Sequence, residues 1–253
     1  MMKSPLVGGV VRFFYPFGSC RSVLAGPLRG MRFRVAPAMG LTYALGRDSY
    51  HFGWLAARLR PGMTVYDVGA NRGQMALFFA RAVGPAGTVV AFEPVPELYE
   101  DLCANVRLNG LGNVRAFRLA AADRRGETPF AFSPEHPTQG KLAGCEPSHG
   151  DPRAVTSAVP AAPLDEVRNE HRLPPPDVLK IDVEGAAALV LRGAARTIAE
   201  CSPAVFIELH GADEQRAVRE HLLDRGYRAE TESGREVADP TAGWHSPLWC
   251  TRR

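Results

Sequence analysis

The residues with the clearest chemical meaning lie in one short stretch, Val65–Gly73, where an apolar run leads into a turn that contains Asp67, Gly69 and Asn71. Glycine lets a ligand approach the backbone closely, and ligands of open α/β sheets bind at the carboxyl ends of the strands. The spacing is D-x-G-x-N-x-G, which differs from the G-x-G-x-x-G pattern that cradles a diphosphate. Asp67 would repel a phosphate but suits an ammonium group. The stretch therefore predicts a nucleotide-sized ligand without a diphosphate. The alternatives are a plain turn between strand and helix, and a capping role for Asn71.

A further carboxylate, Glu93, follows the next apolar run, twenty residues after Gly73, in the segment Phe92-Glu93-Pro94. At this place in a nucleotide-binding α/β fold an acidic residue accepts hydrogen bonds from ribose hydroxyls; the alternative is a solvated strand end. A ligand with a ribose and an ammonium-bearing tail, and without a diphosphate, is S-adenosylmethionine. We predict that this cofactor is bound by Asp67, Gly69, Ala70, Asn71, Gly73, Glu93 and Pro94.

Four ionisable residues follow two later apolar runs: Asp182 and Glu184 after one, Glu208 and His210 after the other. Methyl transfer from a sulfonium is an in-line displacement, so an acceptor must be aligned and a hydroxyl acceptor must lose its proton. Histidine is the side chain most readily poised as a base near neutral pH. We predict Asp182, Glu184 and His210 as catalytic residues, with Asp182 also at the cofactor and His210 as the first choice of base. The alternative for each of these three residues is a structural hydrogen bond. Lys180 lies within the apolar run that precedes Asp182, and we predict a structural role for it.

From residue 60 onward, β-type runs alternate with helical patterns in the sequence. The strands and helices that these patterns predict must position the groups named above. The β-type runs are mostly continuous and apolar, as expected of strands buried on both faces, so the pattern predicts an α/β fold with a parallel sheet covered by helices. Asp123 follows the third strand, where it either lies near the adenine or forms an ordinary turn. The predicted strands are Thr64–Val68, Thr88–Phe92, Val114–Leu119, Val178–Ile181 and Ala204–Leu209, followed by a hairpin of Tyr227–Thr231 and Pro247–Thr251. The predicted helices are Gln74–Ala82, Pro96–Asn109, Ala186–Ala199 and Asp213–Arg225. Two β-like segments, Thr128–Phe132 and Ala154–Val159, flank a loop.

Charge is distributed unevenly along the chain. The 253 residues have a net charge of +3, but residues 1–60 hold nine Lys/Arg and one acid, or +8, which leaves −5 for the remainder. An anionic partner suits such a segment, and Phe13-Phe14-Tyr15 favours a membrane surface; a solvated basic face is the alternative. We predict residues 1–46 as a basic N-terminal appendage and 47–253 as the main domain, in which segment 133–152 selects the substrate.

Composition excludes several classes of protein. A chain that is 45% hydrophobic and 23% charged is not disordered, and no apolar run reaches the ~18–20 residues of a membrane helix. Arg12 interrupts the apolar N-terminus and argues against a signal peptide. Five cysteines without a C-x-x-C pair or zinc spacing predict reduced thiols and no bound metal. We expect a cytoplasmic protein, peripheral at the membrane if the N-terminus contacts one.

The joint order of the motifs resembles the FkbM family of class I S-adenosylmethionine-dependent methyltransferases, from about Leu59 to His210. The resemblance implies a Rossmann-like fold with a seven-stranded, mostly parallel sheet, one antiparallel strand and helices on both faces. It also implies O-methylation of hydroxyls on sugars, lipids or secondary metabolites. The family usually has a second acid where this chain has Ala187, so the chain departs from the family pattern at this position. The matching pieces are Arg60-Pro61-Gly62, DVGANRG (67–73), AFEP (91–94), NVRLNGLGN (105–113), AAADRRG (120–126), Leu164-Asp165, LKIDVEG (179–185), LRGA (191–194) and IELHG (207–211).

Absent motifs narrow the methyl acceptor. The chain has no Asp/Asn-Pro-Pro-aromatic signature for an exocyclic amine and no Pro-Cys nucleophile for cytosine-type chemistry. The absent motifs leave an oxygen acceptor as the expectation, and the family resemblance implies that this oxygen is a hydroxyl of a sugar, glycolipid or secondary metabolite. An RNA methyltransferase and a non-catalytic protein that binds S-adenosylmethionine or a partner remain alternatives, and no DNA partner is expected.

Overall fold

The structure of the protein is a computed structural model that describes Pro16 and residues 18–35, 51–132, 141–142, 155–243 and 245–252. The aromatic cluster at 13–15, the domain boundary at 46/47 and most of the predicted substrate segment 133–152 lie outside the described residues. No helix in the described ranges is long and apolar enough to cross a membrane.

Strands alternate with helices over residues 64–117 and again over residues 155–230, as the sequence pattern predicts. The strands are β1 (Cys20–Ser22), β2 (Arg32–Arg34), β3 (Thr64–Val68), β4 (Thr88–Phe92), β5 (Val114–Phe117), β6 (Ala120–Ala121), β7 (Gly126–Phe132), β8 (Lys141–Leu142), β9 (Val155–Ala162), β10 (Val178–Ile181), β11 (Ala204–Ile207), β12 (Tyr227–Glu230), β13 (Glu236–Val237) and β14 (Leu248–Arg252). The α-helices are α1 (Phe52–Ala56), α2 (Gln74–Val83), α3 (Pro96–Leu108), α4 (Leu164–Glu170), α5 (Ala187–Gly193), α6 (Ala195–Cys201) and α7 (Ala212–His221).

The main sheet has the strand order β13-β12-β14-β11-β10-β3-β4-β5. Its centre, from β11 to β5, is parallel, and β14 inserts antiparallel between β11 and β12. Strands β3 and β10 are buried along their whole length, because helices cover both faces of the sheet. The α/β fold with a mostly parallel sheet is confirmed. The described sheet has eight strands where seven were predicted, and the additional strand is the two-residue β13 at its edge.

Two predicted helices are shorter than their apolar patterns suggested. The segment predicted as one helix over Ala186–Ala199 forms α5 and α6, which meet at Ala194. The last helix ends at His221, and a 3₁₀ turn over Leu223–Arg225 follows. Helix α4 was not predicted from the sequence.

A second sheet, of four strands in the order β6-β9-β7-β8, is formed by strands between residues 120 and 162. Strands β7 and β9 pair antiparallel over seven residues. The predicted segment Thr128–Phe132 lies within β7, and the predicted segment Ala154–Val159 corresponds to β9 from Val155 onward, Ala154 being outside the described residues. Buried Phe130, Val159 and Ala161 join Val95 and Leu98 in one apolar cluster. This small sheet therefore packs beside the carboxyl ends of the main strands.

An antiparallel hairpin of β1 and β2 lies N-terminal to the main sheet. Its apolar side chains Val23, Leu28, Met31 and Phe33 are buried with the residues of α1, α2 and α3 in one cluster. The described part of the predicted appendage, residues 18–35, is thus packed against the main domain.

Candidate active site

Four parallel strands end in a single row at one edge of the main sheet. Val68, Phe92, Ile181 and Ile207 are aligned across β3, β4, β10 and β11. The residue after each strand therefore lies at the same edge, where ligands of open α/β sheets bind. A cavity of about 340 Å³ opens there, within the size range of small-molecule sites. Its lining includes the predicted site residues Gly69, Asn71, Glu93, Pro94, Asp182, Glu184 and His210.

The loop after β3 adopts backbone conformations that favour glycine. Gly69 has a φ of +78°, and a Cβ atom there would lie 2.0 Å from the carbonyl oxygen of Asp182. Gly73 has a φ of +89°, and a Cβ atom there would lie 2.6 Å from a side-chain carbon of Leu102. The loop therefore lies too close to the strand ends and to α3 for a side chain at either position. Without those side chains, the backbone of the loop can face a ligand directly.

Glu93 is a buried carboxylate in the wall of the cavity. It is only 5% exposed. Its carboxylate accepts hydrogen bonds from the backbone N–H of Asn71 at 2.8 Å and of Val95 at 2.9 Å. Burial raises the pKa of Glu93 to about 7, and these two N–H groups partly oppose that shift. Each carboxylate oxygen keeps a lone pair for a further donor, so the group fits a pair of ribose hydroxyls.

Asp67 lies beneath the loop in a buried ion pair. Asp67 and Lys180 are opposite each other on adjacent parallel strands, and Lys180 Nζ lies 3.0 Å from Asp67 Oδ1. Lys180 Nζ also donates to the carbonyl oxygen of Gly69 at 2.9 Å. Burial disfavours the ammonium, but Asp67 and Asp182 outweigh it and raise the pKa of Lys180 above its ordinary value. The pair thus joins β3 to β10 and holds the loop from below.

The three predicted catalytic residues lie together. His210 Nε2 is 3.5 Å from Asp182 Oδ1, and His210 Nδ1 is 3.4 Å from Glu184 Oε2. The Asp182 carboxylate, with Glu184, raises the pKa of His210 to about 8 although burial opposes the charge. Burial disfavours the Asp182 carboxylate, but Lys180 and His210 lower its pKa below the ordinary value. Asp182 is therefore charged at neutral pH and can orient the His210 ring.

Glu208 also lines the cavity, although it was not among the predicted site residues. Burial raises its pKa above the ordinary value. One ligand atom each from Asp182, Glu208 and His210 lie within 4.8 Å of one another, a set that could hold a cation. Lys180 Nζ lies 3.5 Å from Asp182 Oδ2 and already neutralises part of this charge.

Glu214 is a site residue that sequence reasoning missed. It is 1% exposed, and its carboxylate accepts the backbone N–H of Ala187 at 3.0 Å and of His210 at 2.5 Å. These two N–H groups belong to the segments after β10 and β11, so one carboxylate joins them. The sequence does contain a signal for it. Glu214 is three and four positions before the apolar residues Ala217 and Val218, a spacing that places all three on the buried face of α7.

Four residues predicted to bind the cofactor do not line the cavity. Asp67 lies under the loop and Ala70 is buried, whereas Gly73 begins α2. Asp123 lies in a neighbouring cavity of about 650 Å³ and pairs with Arg192, whose Nε is 3.0 Å from Asp123 Oδ2. The first three act on the loop's shape rather than on the wall of the cavity.

The chain matches the methyltransferase FkbM domain over residues 67–229. It therefore belongs to this family, as its motifs indicated. It is 30% identical over 162 residues to methyltransferase sdnD of Sordaria araneosa, covering 54% of this chain and 62% of sdnD. It is 44% identical over 78 residues to 31-O-demethyl-FK506 methyltransferase FkbM of Streptomyces tacrolimicus, covering 30% of this chain and 29% of that protein. It is 25% identical over 160 residues to hexuronic acid methyltransferase AglP of Haloferax volcanii, covering 63% and 61%. The chain spans less than two thirds of the length of each of these relatives.

Proposed function

We propose that the protein transfers a methyl group from S-adenosylmethionine to a hydroxyl oxygen. The observation that carries this proposal is Glu93, a buried carboxylate held by two backbone N–H groups at the wall of a cavity that also contains Asp182 and His210. The cofactor fits the residues present: Glu93 would accept from the ribose hydroxyls, and the close-packed backbone at Gly69 would face the ligand. Membership of the FkbM domain family supports the same conclusion.

The cofactor, when bound, supplies a methyl group on a positively charged sulfur. His210 would accept the proton of the acceptor hydroxyl, since a hydroxyl is a weak nucleophile until that proton leaves. Asp182 would hold the imidazole in place and stabilise the imidazolium that forms. Because the pKa of His210 is raised to about 8, the neutral, basic form grows as the pH rises through 8.

The acceptor site that we propose is the second cavity, of about 650 Å³, which shares His210 with the cofactor cavity. Its walls carry charged side chains of both signs, among them Arg124, Glu127, Arg192 and Asp213. Such walls suit an acceptor with many hydroxyl groups, such as a sugar, better than an apolar ring. The names of two relatives, a hexuronic acid methyltransferase and a 31-O-demethyl-FK506 methyltransferase, agree with oxygen acceptors. A sugar, glycolipid or hydroxylated secondary metabolite is therefore our proposed substrate class.

Calorimetry with S-adenosylmethionine and S-adenosylhomocysteine tests the cofactor first. We expect micromolar binding, about −7 to −8 kcal/mol. Glu93→Gln should weaken it by ~1–3 kcal/mol, because the ribose hydroxyls lose a charged acceptor. Glu97→Gln makes the same change of charge at an exposed position and should bind normally. A folded wild type that binds neither compound would refute the proposal.

Turnover is then measured as release of S-adenosylhomocysteine with a simple glycoside, a uronic acid and catechol as acceptors. Methylation of the sugar hydroxyls supports the proposed substrate class, whereas methylation of catechol alone contradicts it. Cofactor binding without turnover on any acceptor would indicate the non-catalytic alternative.

The partner of the N-terminal segment also stays a proposal. The basic charge of residues 1–60 supports contact with an anionic membrane surface at the cytoplasmic side. Sedimentation with anionic vesicles at low salt tests it, because screening is weakest there.

A further inference from the structure

The hairpin of β1 and β2 lies outside the residues that match the family domain, yet its backbone is bound to α3 by two asparagine side chains. Asn105 Oδ1 accepts the backbone N–H of Arg34 at 2.8 Å. Asn109 accepts the N–H of Arg32 at 2.8 Å and donates to the Arg32 carbonyl oxygen at 2.8 Å. Both asparagines belong to NVRLNGLGN (105–113), one of the segments that resemble the family. Neither takes part in the reaction proposed above.

Asn105 differs from Asn109 in what its other end contacts. Its side chain is fully buried, and its Nδ2 donates to the carbonyl oxygen of Arg72 at 2.8 Å. Arg72 follows Asn71, whose N–H donates to Glu93. One amide therefore joins the hairpin, α3 and the loop after β3 (residues 69–73, the cofactor loop). Asn109 bonds instead to Arg32 and to the carbonyl oxygen of Asn105.

A second connection runs in parallel through charged side chains. The Arg72 guanidinium pairs with the Asp101 carboxylate on α3, and Arg34 Nη1 lies 3.3 Å from the other oxygen of the same carboxylate. Asp101 is 11% exposed and Arg34 is 50% exposed. The hairpin thus reaches the residue next to Asn71 by two routes, one through its backbone and one through a side chain.

We propose that Asn105 is a positioning residue for the cofactor loop and that the N-terminal hairpin supports it, so that a segment outside the family domain sets the affinity for the cofactor. The inference depends on the proposed function only for the identity of the ligand, S-adenosylmethionine. Asn105 spans the loop and the hairpin with one rigid group, and loss of either partner leaves a buried polar atom without a hydrogen bond. The Arg72 carbonyl would then move, and the Asn71 N–H that holds Glu93 would be less well placed before the ligand arrives.

The test is calorimetry of the full chain with S-adenosylhomocysteine. Asn105→Ala should weaken binding about tenfold or more, because part of the binding free energy must then be used to order the loop. Asn109→Ala is the matched control: it removes the same group one turn further on, at the C-cap of α3, and loses the bonds to Arg32, but the bond from Asn105 to Arg72 stays. It should lower the melting temperature and change the affinity by no more than about twofold.

Exposed variants keep the inference testable if Asn105→Ala does not fold. Arg34→Ala removes the ion pair with Asp101 and should weaken binding by about two- to threefold. Arg32→Ala, at another exposed position of the same strand, should leave the affinity unchanged.

The outcomes separate this inference from the proposed function. No binding by the folded wild type refutes the function itself. Normal wild-type binding with an unchanged Asn105→Ala, or an equal loss in Asn105→Ala and Asn109→Ala, overturns the positioning role. For the exposed pair, equal affinities of Arg34→Ala and Arg32→Ala overturn the part assigned to the hairpin.

Discussion

Cofactor affinity should depend on pH through Glu93. In the free protein, burial raises the pKa of this carboxyl to about 7, so part of the population is protonated at neutral pH. Ribose hydroxyls donate hydrogen bonds to the ionised form and favour it. Binding should therefore release a proton, and the affinity should rise with pH.

The magnitude follows from that pKa. With a pKa of about 7, the ionised fraction of Glu93 is about 0.9 at pH 8, about 0.5 at pH 7 and about 0.1 at pH 6. The dissociation constant should consequently increase about tenfold between pH 8 and pH 6, which is about 1.4 kcal/mol. Near pH 7, about half a proton should leave for each cofactor molecule bound.

Titration calorimetry with S-adenosylhomocysteine measures both quantities. Proton release is read from the dependence of the binding enthalpy on the ionisation enthalpy of the buffer. Glu93→Gln should bind more weakly and lose this dependence, while Glu97→Gln should keep it. His210, with a pKa of about 8, titrates in the same range, so the comparison is between wild type and Glu93→Gln at each pH. Identical pH profiles for these two proteins would refute the reasoning.

Three further predictions concern the groups around the cavity. His210→Ala should lower turnover by roughly 10²–10⁴-fold with nearly normal cofactor affinity, and wild-type turnover should rise with pH through about 8; full turnover in the variant would remove His210 as the base. Asp67→Asn leaves the buried ammonium of Lys180 without its main partner and should lower the free energy of unfolding by about 3–5 kcal/mol in urea titrations; unchanged stability would contradict the pairing. Gly69→Ala would place a carbon 2.0 Å from the Asp182 carbonyl oxygen at a φ of +78°, so calorimetry should detect no cofactor binding, and normal binding would show that the loop can move aside.

Local sequence determined the central strands and the general place of the site. Thr64–Val68, Thr88–Phe92 and Val178–Ile181 have the predicted bounds, because each is a run of apolar residues that a sheet covered on both faces must bury. Since parallel strands present their carboxyl ends at one edge, Glu93 and Asp182 could be assigned to that edge from their positions in the sequence alone.

Only the tertiary structure decided which groups contact each other. Lys180 meets Asp67 because β3 and β10 are adjacent in the sheet although they are far apart along the chain. Glu214 reaches the N–H groups of Ala187 and His210 from a later helix, and Asn105 joins the N-terminal hairpin to the cofactor loop. Asp123 has a suitable sequence position for the adenine but pairs with Arg192 in the neighbouring cavity. The periodicity of a sequence reports whether a residue is buried, whereas the partner of a buried polar group depends on strand order and helix packing, which bring together residues that no local pattern connects.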